Sequence, residues 1–167
     1  MELRSELSKQ YIAEALLMLM RTKDYDKISI QDVVDKAGFS RMAYYRNFGS
    51  KDEVIAYHID KITADFVSGS DIDLHIATRD MRQALTMLFG HLYRHLELGK
   101  LLLKCGKLHL AQAAFDKYFL INAKDCDDGL FRLYVSGGAF RLYCNWLETG
   151  AVYSPEQAAS VISNFIK

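Results

Sequence analysis

The segment Gly38-Phe39-Ser40-Arg41-Met42-Ala43-Tyr44-Tyr45-Arg46-Asn47-Phe48-Gly49-Ser50-Lys51 decides how this chain is read. From Lys36 to Lys51 there are four basic side chains (Lys36, Arg41, Arg46, Lys51) and no acidic one, although the whole chain carries 21 Lys+Arg against 21 Asp+Glu. The positive charge is therefore local, which suits a small footprint on phosphate better than a generally basic surface. Gly38 follows the apolar-patterned run Val33, Val34, Ala37, so it is placed to end a helix in the left-handed conformation that only glycine adopts cheaply. Ser40 is placed to cap the next helix through its side-chain oxygen. Helix, turn of about three residues, helix is the outline of a helix-turn-helix.

Within the second helix of that pair, Ala43 and Phe48 can face inward, and Tyr44 is expected to pack. Ser40, Arg41, Met42, Tyr45 and Arg46 are left on the open side. An exposed tyrosine between arginines is poor material for a merely solvated face. It is good material for a nucleic-acid groove, where hydroxyl and guanidinium groups donate and a flat ring fills space. Lys51 falls in the first turn of the helix that follows, where a cation opposes the helix dipole. A DNA phosphate is the expected source of the missing negative charge.

The remaining composition agrees with an all-α chain. Half of the 167 residues are hydrophobic, there is a single proline, and long stretches carry apolar residues at helical spacing. No apolar run reaches the roughly 18–20 residues that cross a bilayer. The greasy Leu16–Met20 stretch lies between Glu14 and Arg21, with no signal pattern before it. Three widely spaced cysteines, Cys105, Cys126 and Cys144, form no CxxC and no disulfide framework, which points to reduced thiols and a cytoplasmic location.

In chain order, a first helix is expected over about 5–22, with Ile12, Leu16, Leu19 and Met20 as its inward stripe. Tyr25, in the polar turn 23–27, should pack back on the small N-terminal core. Ser29 and Asp32 stand in capping-box positions at the start of the second helix, and Ser50 and Glu53 at the start of the fourth. The fourth helix buries Val54, Ile55, Ile59, Ile62 and Phe66 and ends near 68–71. Beyond it, Met81, Leu85, Leu88, Leu92 and Leu96 form one stripe, and Gly99 and Gly106 are expected to break the next region. Further helices follow over about 110–123 and 130–149, the latter containing Gly137-Gly138 and stopped by Gly150. Ser154-Pro155-Glu156-Gln157 opens the last helix, with Ser at the cap, Pro at the first position and Gln at the third. Two adjacent glycines inside a helix cost about 1 kcal/mol each relative to alanine, and close approach of another helix is the usual compensation. Gly137, Gly138, Val161, Ile162 and Phe165 are therefore read as a dimer interface.

The stretch Ser40 to Glu53 also resembles the recognition helix and following turn of TetR/AcrR-family transcriptional regulators: a serine, an aromatic before Tyr45, then Phe48, a short turn, Ser50-Lys51 and an acid. It departs from that pattern at Gly49, where proline is common, at Met42, where a small residue is common, and at Asp24, where glycine is frequent. The resemblance implies an N-terminal helix-turn-helix domain over residues 1–49, a connecting helix over 50–70, and an effector-binding and dimerisation domain over 71–167. It carries Ser29 and Gln31 over as phosphate or base-edge contacts, beside Ser40, Arg41, Met42, Tyr45, Arg46 and Lys51. More loosely, 137–150 with Ser154-Pro155-Glu156 resembles the family's dimer helices. The implied partner is a double-stranded, inverted-repeat operator bound by a homodimer and released by a small effector, mostly apolar and not identified by the sequence. Repression is the sign of regulation expected.

The aromatic-rich second half offers Phe66, Phe89, Tyr93, His95, His109, Phe115, Phe119 and Tyr134 as lining for an effector pocket. Phosphate-loop, dinucleotide, nucleophile-elbow and His-Glu-x-x-His motifs are absent, so neither an enzyme nor a cofactor is expected. His91 and His95 share a helix face, but a zinc site needs a third and usually a fourth ligand, and no metal is expected. The alternative reading is a helical co-activator of the same fold that acts through protein partners and no longer reads DNA.

Overall fold

A computed structural model describes residues 2–69, 81–120 and 126–165. Among the described residues the regular elements are α1 (Glu2–Thr22), a 3-10 turn (Tyr25–Lys27), α2 (Ile30–Ala37), α3 (Arg41–Asn47), α4 (Lys51–Gly69), α5 (Met81–Arg94), α6 (Leu96–Lys104), α7 (Leu108–Leu120), α8 (Cys126–Glu148) and α9 (Pro155–Phe165). No helix among them is long and apolar enough to cross a membrane. The chain divides into two compact units, Met1–Ile62 and Thr63–Lys167, with the boundary inside α4.

Local chemistry sets the element ends in the first unit. Ser29 accepts the Asp32 amide at 3.1 Å while its own amide donates to the Asp32 carboxylate at 2.8 Å, so the expected capping box opens α2. The Lys23 ammonium, 2.7 Å from that carboxylate, together with Ser29 holds Asp32 down at about 2. Gly38 closes α2 at φ 73°, where a side chain would be strained. Ser40 accepts the Ala43 amide at 3.2 Å and starts α3. At α4, Ser50 accepts the Glu53 amide at 3.1 Å, but Glu53 reaches one residue beyond the expected box and takes the Gly49 amide at 2.8 Å. The core is Ile12, Leu16, Met20, Tyr25, Ile28, Val33, Val34, Tyr44, Phe48, Val54, Ile55 and Ile59, all buried.

In the second unit α5 packs along α9, and α7 and α6 pack on α8. The core joins Leu85, Leu88 and Phe89 to Phe115, Phe119, Val135, Ala139, Tyr143, Trp146 and Leu147. Gly99 does not break a helix. It is buried inside α6, where an added Cβ would collide with the Tyr143 hydroxyl and lie 3.0 Å from Leu147. Its lack of a side chain lets α8 approach, so the breaks fall at His95 and at Gly106, which has φ 69°. Leu96 consequently starts α6 rather than ending the α5 stripe. Gly150 stops α8 at φ 80°. The Ser154 box forms as expected, with the Ser154 amide donating to Gln157 at 2.8 Å and the Gln157 amide to Ser154 at 3.3 Å. Two polar ties the sequence reading missed reinforce α8: Ser136 donates to Asp116 on α7 at 2.7 Å, and Arg132 donates to Asp128 at 2.9 Å.

Candidate nucleic-acid interface

Helix α3 and its two capping residues, Ser40 and Phe48, present one packed and one open side. Tyr44 is fully buried and Phe48 nearly so, whereas Met42 is 72% and Tyr45 53% exposed, with Ser40, Arg41 and Arg46 also exposed. The Tyr44 ring meets Tyr45 edge-on at 5.5 Å and Phe48 at 6.0 Å. Burial raises the Tyr44 hydroxyl to about 12, which makes it a packing group. The exposed side thus presents two guanidinium groups, a phenol, a thioether and a hydroxyl with no carboxylate among them. Ser29 and Gln31 stand exposed at the start of α2, which packs on α3. The Gln31 amide donates to Asp35 at 2.7 Å, so a base or phosphate must compete with that bond.

Lys51 has bonding inside the protein that was not expected of it. Its ammonium donates to the Tyr25 carbonyl at 2.6 Å and the Ile28 carbonyl at 2.7 Å, and it lies 4.2 Å from the centre of the Tyr25 ring. The Tyr25 hydroxyl in turn donates to Asp52 on the same turn of α4. The cation that opposes its own helix dipole is therefore matched inside the protein, by the Ile28 carbonyl and by the Tyr25 carbonyl, which also accepts the Ile28 amide at 3.2 Å. Lys51 thus clamps that turn to α4, and a phosphate must share its ammonium with these two carbonyls.

Of the residues proposed for an effector pocket, the four phenylalanines come together, whereas His109, Tyr93 and Tyr134 lie at the surface. Phe66, Phe89, Phe115 and Phe119 are buried core, with Phe89 edge-on to Trp146 at 5.6 Å and Phe115 stacked on Tyr143 at 5.6 Å. His109 and Tyr93 are exposed, and Tyr134 is 76% exposed. Those polar handles lie on the surface because α5, α7 and α8 turn their other faces inward. His91 is a buried polar group beside that core, stacked on Phe66 at 4.4 Å and 4.7 Å from the His95 ring. Among the described residues no group of three potential metal ligands occurs.

Burial, then the neighbouring His95 and Arg94, depresses His91 to about 4. The unfolded histidine takes a proton near 6.5, so between about 6.5 and 4 protons favour the unfolded chain, and stability falls on acidification. The loss is at most about 3 kcal/mol. His91→Phe keeps the stack and should flatten this limb. Urea midpoints at pH 7 and 4.5 check it, and equal losses in the variant and the unmutated chain would contradict it.

One side of α8 is also unusual. Leu130, Leu133, Tyr134 and Leu142 are exposed there beside Gly137 and Gly138, and a Cβ at either glycine would meet nothing within 4 Å. Val161 on α9 is half exposed. The side chains of Ile162 and Phe165 lie outside the described residues.

Residues 12–57 match the family described as bacterial regulatory proteins, tetR family. Over 60 residues the chain is 30% identical to an uncharacterized HTH-type transcriptional regulator, YwcC, of Bacillus subtilis (strain 168), a match spanning 36% of this chain and 27% of that one. Among solved structures, the dihydroxyacetone kinase operon activator DhaS shares the fold with a TM-score of 0.61, over 95% of this chain and 93% of that chain, at 19% identity.

Proposed function

We propose, from the match of residues 12–57 to the tetR family of bacterial regulatory proteins, that the chain works as a TetR-family homodimer reading an inverted-repeat DNA operator with α3. The observation that carries this reading is the exposed set Arg41, Met42, Tyr45 and Arg46 on a helix anchored by the buried Tyr44, within a stretch free of acidic residues. Arginine pairs well with guanine edges in the major groove, and Tyr45 reaches both groove edge and backbone. Ser29 and Ser40, at the starts of α2 and α3, offer hydroxyls to phosphate. Two symmetry-related heads enter successive major grooves roughly 34–36 Å apart, so the half-sites lie about one helical turn apart.

The exposed side of α8, with its glycine notch, supports self-association through one patch used by both chains. A small, mostly apolar effector released into or from the aromatic second unit is the proposed signal, with His91 and His95 as polar groups in place of His109 and Tyr134. Repression is the proposed sign. The structural neighbour DhaS is by name an operon activator, which keeps a second reading in play: a co-activator of the same fold that works through a protein partner.

A nuclease footprint of the unmutated protein on the duplex upstream of its own gene tests the choice. The DNA reading expects two protected half-sites and binding that weakens steeply with salt. A chain that retards no duplex, specific or random, at low salt would hand the function to the protein-partner reading.

A further inference from the structure

Asn47 closes α3, and its side chain is spent on α1. Its Oδ1 accepts the Ser5 hydroxyl at 2.8 Å, and its Nδ2 donates to the Ser8 hydroxyl at 3.1 Å and to the Ala43 carbonyl, one turn back, at 2.8 Å. Ser8, itself buried, donates to the Ser5 carbonyl at 2.7 Å. Both amide hydrogens and the amide oxygen are thereby used, across 42 and 39 residues of sequence.

Apolar packing holds two helices together but lets them slide and roll, because it is non-directional. Directional bonds at the end of α3 fix its rotation on α1. The start of α3 is already set by the Gly38 turn and the Ser40 cap. Arg46, the immediate neighbour of Asn47, is on the exposed side. A small roll at that end displaces Arg46 and Tyr45 relative to a groove. Bidentate base contacts require close geometry, whereas phosphate contacts tolerate displacement because they carry no base information.

We infer that Asn47 is a positioning residue for base reading: through Ser5 and Ser8 it holds the last turn of α3 in register, so that discrimination between sequences depends on it. This rests on the DNA reading above. The experiment uses the full chain with Asn47→Ala, and with Ser5→Ala/Ser8→Ala, which leaves α3 unaltered. Each is titrated against the footprinted duplex and a scrambled duplex at two salt concentrations, alongside a thermal melt. Both variants are expected to lower the ratio of specific to scrambled affinity roughly tenfold while leaving the salt slope unchanged, the size expected for losing about one net hydrogen bond per head. Ser5→Ala alone, the mildest change, should give a smaller drop of the same kind if either larger variant fails to fold.

An unchanged ratio in the folded variants overturns the positioning role. So does a drop in Asn47→Ala that the serine variant lacks, since Asn47 would then touch DNA itself, or a reduced salt slope, which marks a lost phosphate contact. An unmutated chain without sequence preference overturns the DNA reading, and this role with it. Preference retained in the variants but present in the unmutated chain overturns only the role of Asn47.

Discussion

Lys51→Ala should lower the melting temperature of the first unit by roughly 5–15 °C, the shift that about 1–3 kcal/mol produces in a domain of this size. The substitution removes a charged donor shared between the Tyr25 and Ile28 carbonyls, and a cation from the face of the Tyr25 ring. Tyr25 and Ile28 are themselves buried, so water replaces the ammonium imperfectly and part of the desolvation cost remains. Lys51→Met keeps the aliphatic stem and should lose nearly as much, because the charge and its donors are what matter. DNA binding at a temperature where the variant is folded should keep its salt slope. An unmoved melting temperature together with a slope reduced by about one would restore Lys51 to a phosphate contact.

Gly138→Leu should act in opposite directions on the monomer and the dimer. Inside one chain nothing lies within 4 Å of a Cβ at this position, and replacing glycine in a helix interior gains up to about 1 kcal/mol. Across a symmetric interface the added side chain is met twice. Overpacking at about 1–3 kcal/mol per site then weakens the dimer by at least about 30-fold. Sedimentation across a concentration series reads the dissociation constant, and a melt of the monomer reads the stabilisation. A monomeric unmutated protein at micromolar concentration would remove the dimer. An unchanged dimer in the variant would move the interface away from the α8 glycines.

Much of the first unit was legible because its determinants are local. The Ser29–Asp32 box, the Gly38 turn, the Ser40 cap and the outward Tyr45 beside an inward Tyr44 all follow from residues within one or two turns of each other. What escaped is long-range. Lys51 finds its carbonyls 26 and 23 residues away, and Asn47 finds its serines on α1, so no spacing rule points to either. In the second unit the difficulty is different. Helix α8 is apolar nearly all round: Val135, Ala139, Tyr143 and Leu147 are buried, while Leu130, Leu133, Tyr134 and Leu142 are exposed. A helix apolar on both sides gives periodicity little to sort, so an exposed Tyr134 reads in sequence like a pocket residue. Gly99 is hard to read for a related reason, since a glycine that admits a neighbouring helix looks, in sequence, like one that ends its own.

The central claim is that the exposed side of α3 reads base sequence. Its most direct test is the specific-to-scrambled affinity ratio of Arg41→Ala and Arg46→Ala, measured by titration at two salt concentrations against the footprinted duplex. At least one variant should lose about 1–3 kcal/mol at a single operator position and relax specificity there, with the effect doubled in a symmetric complex. If neither arginine changes that ratio, α3 does not read the operator, and the exposed face belongs to a protein partner.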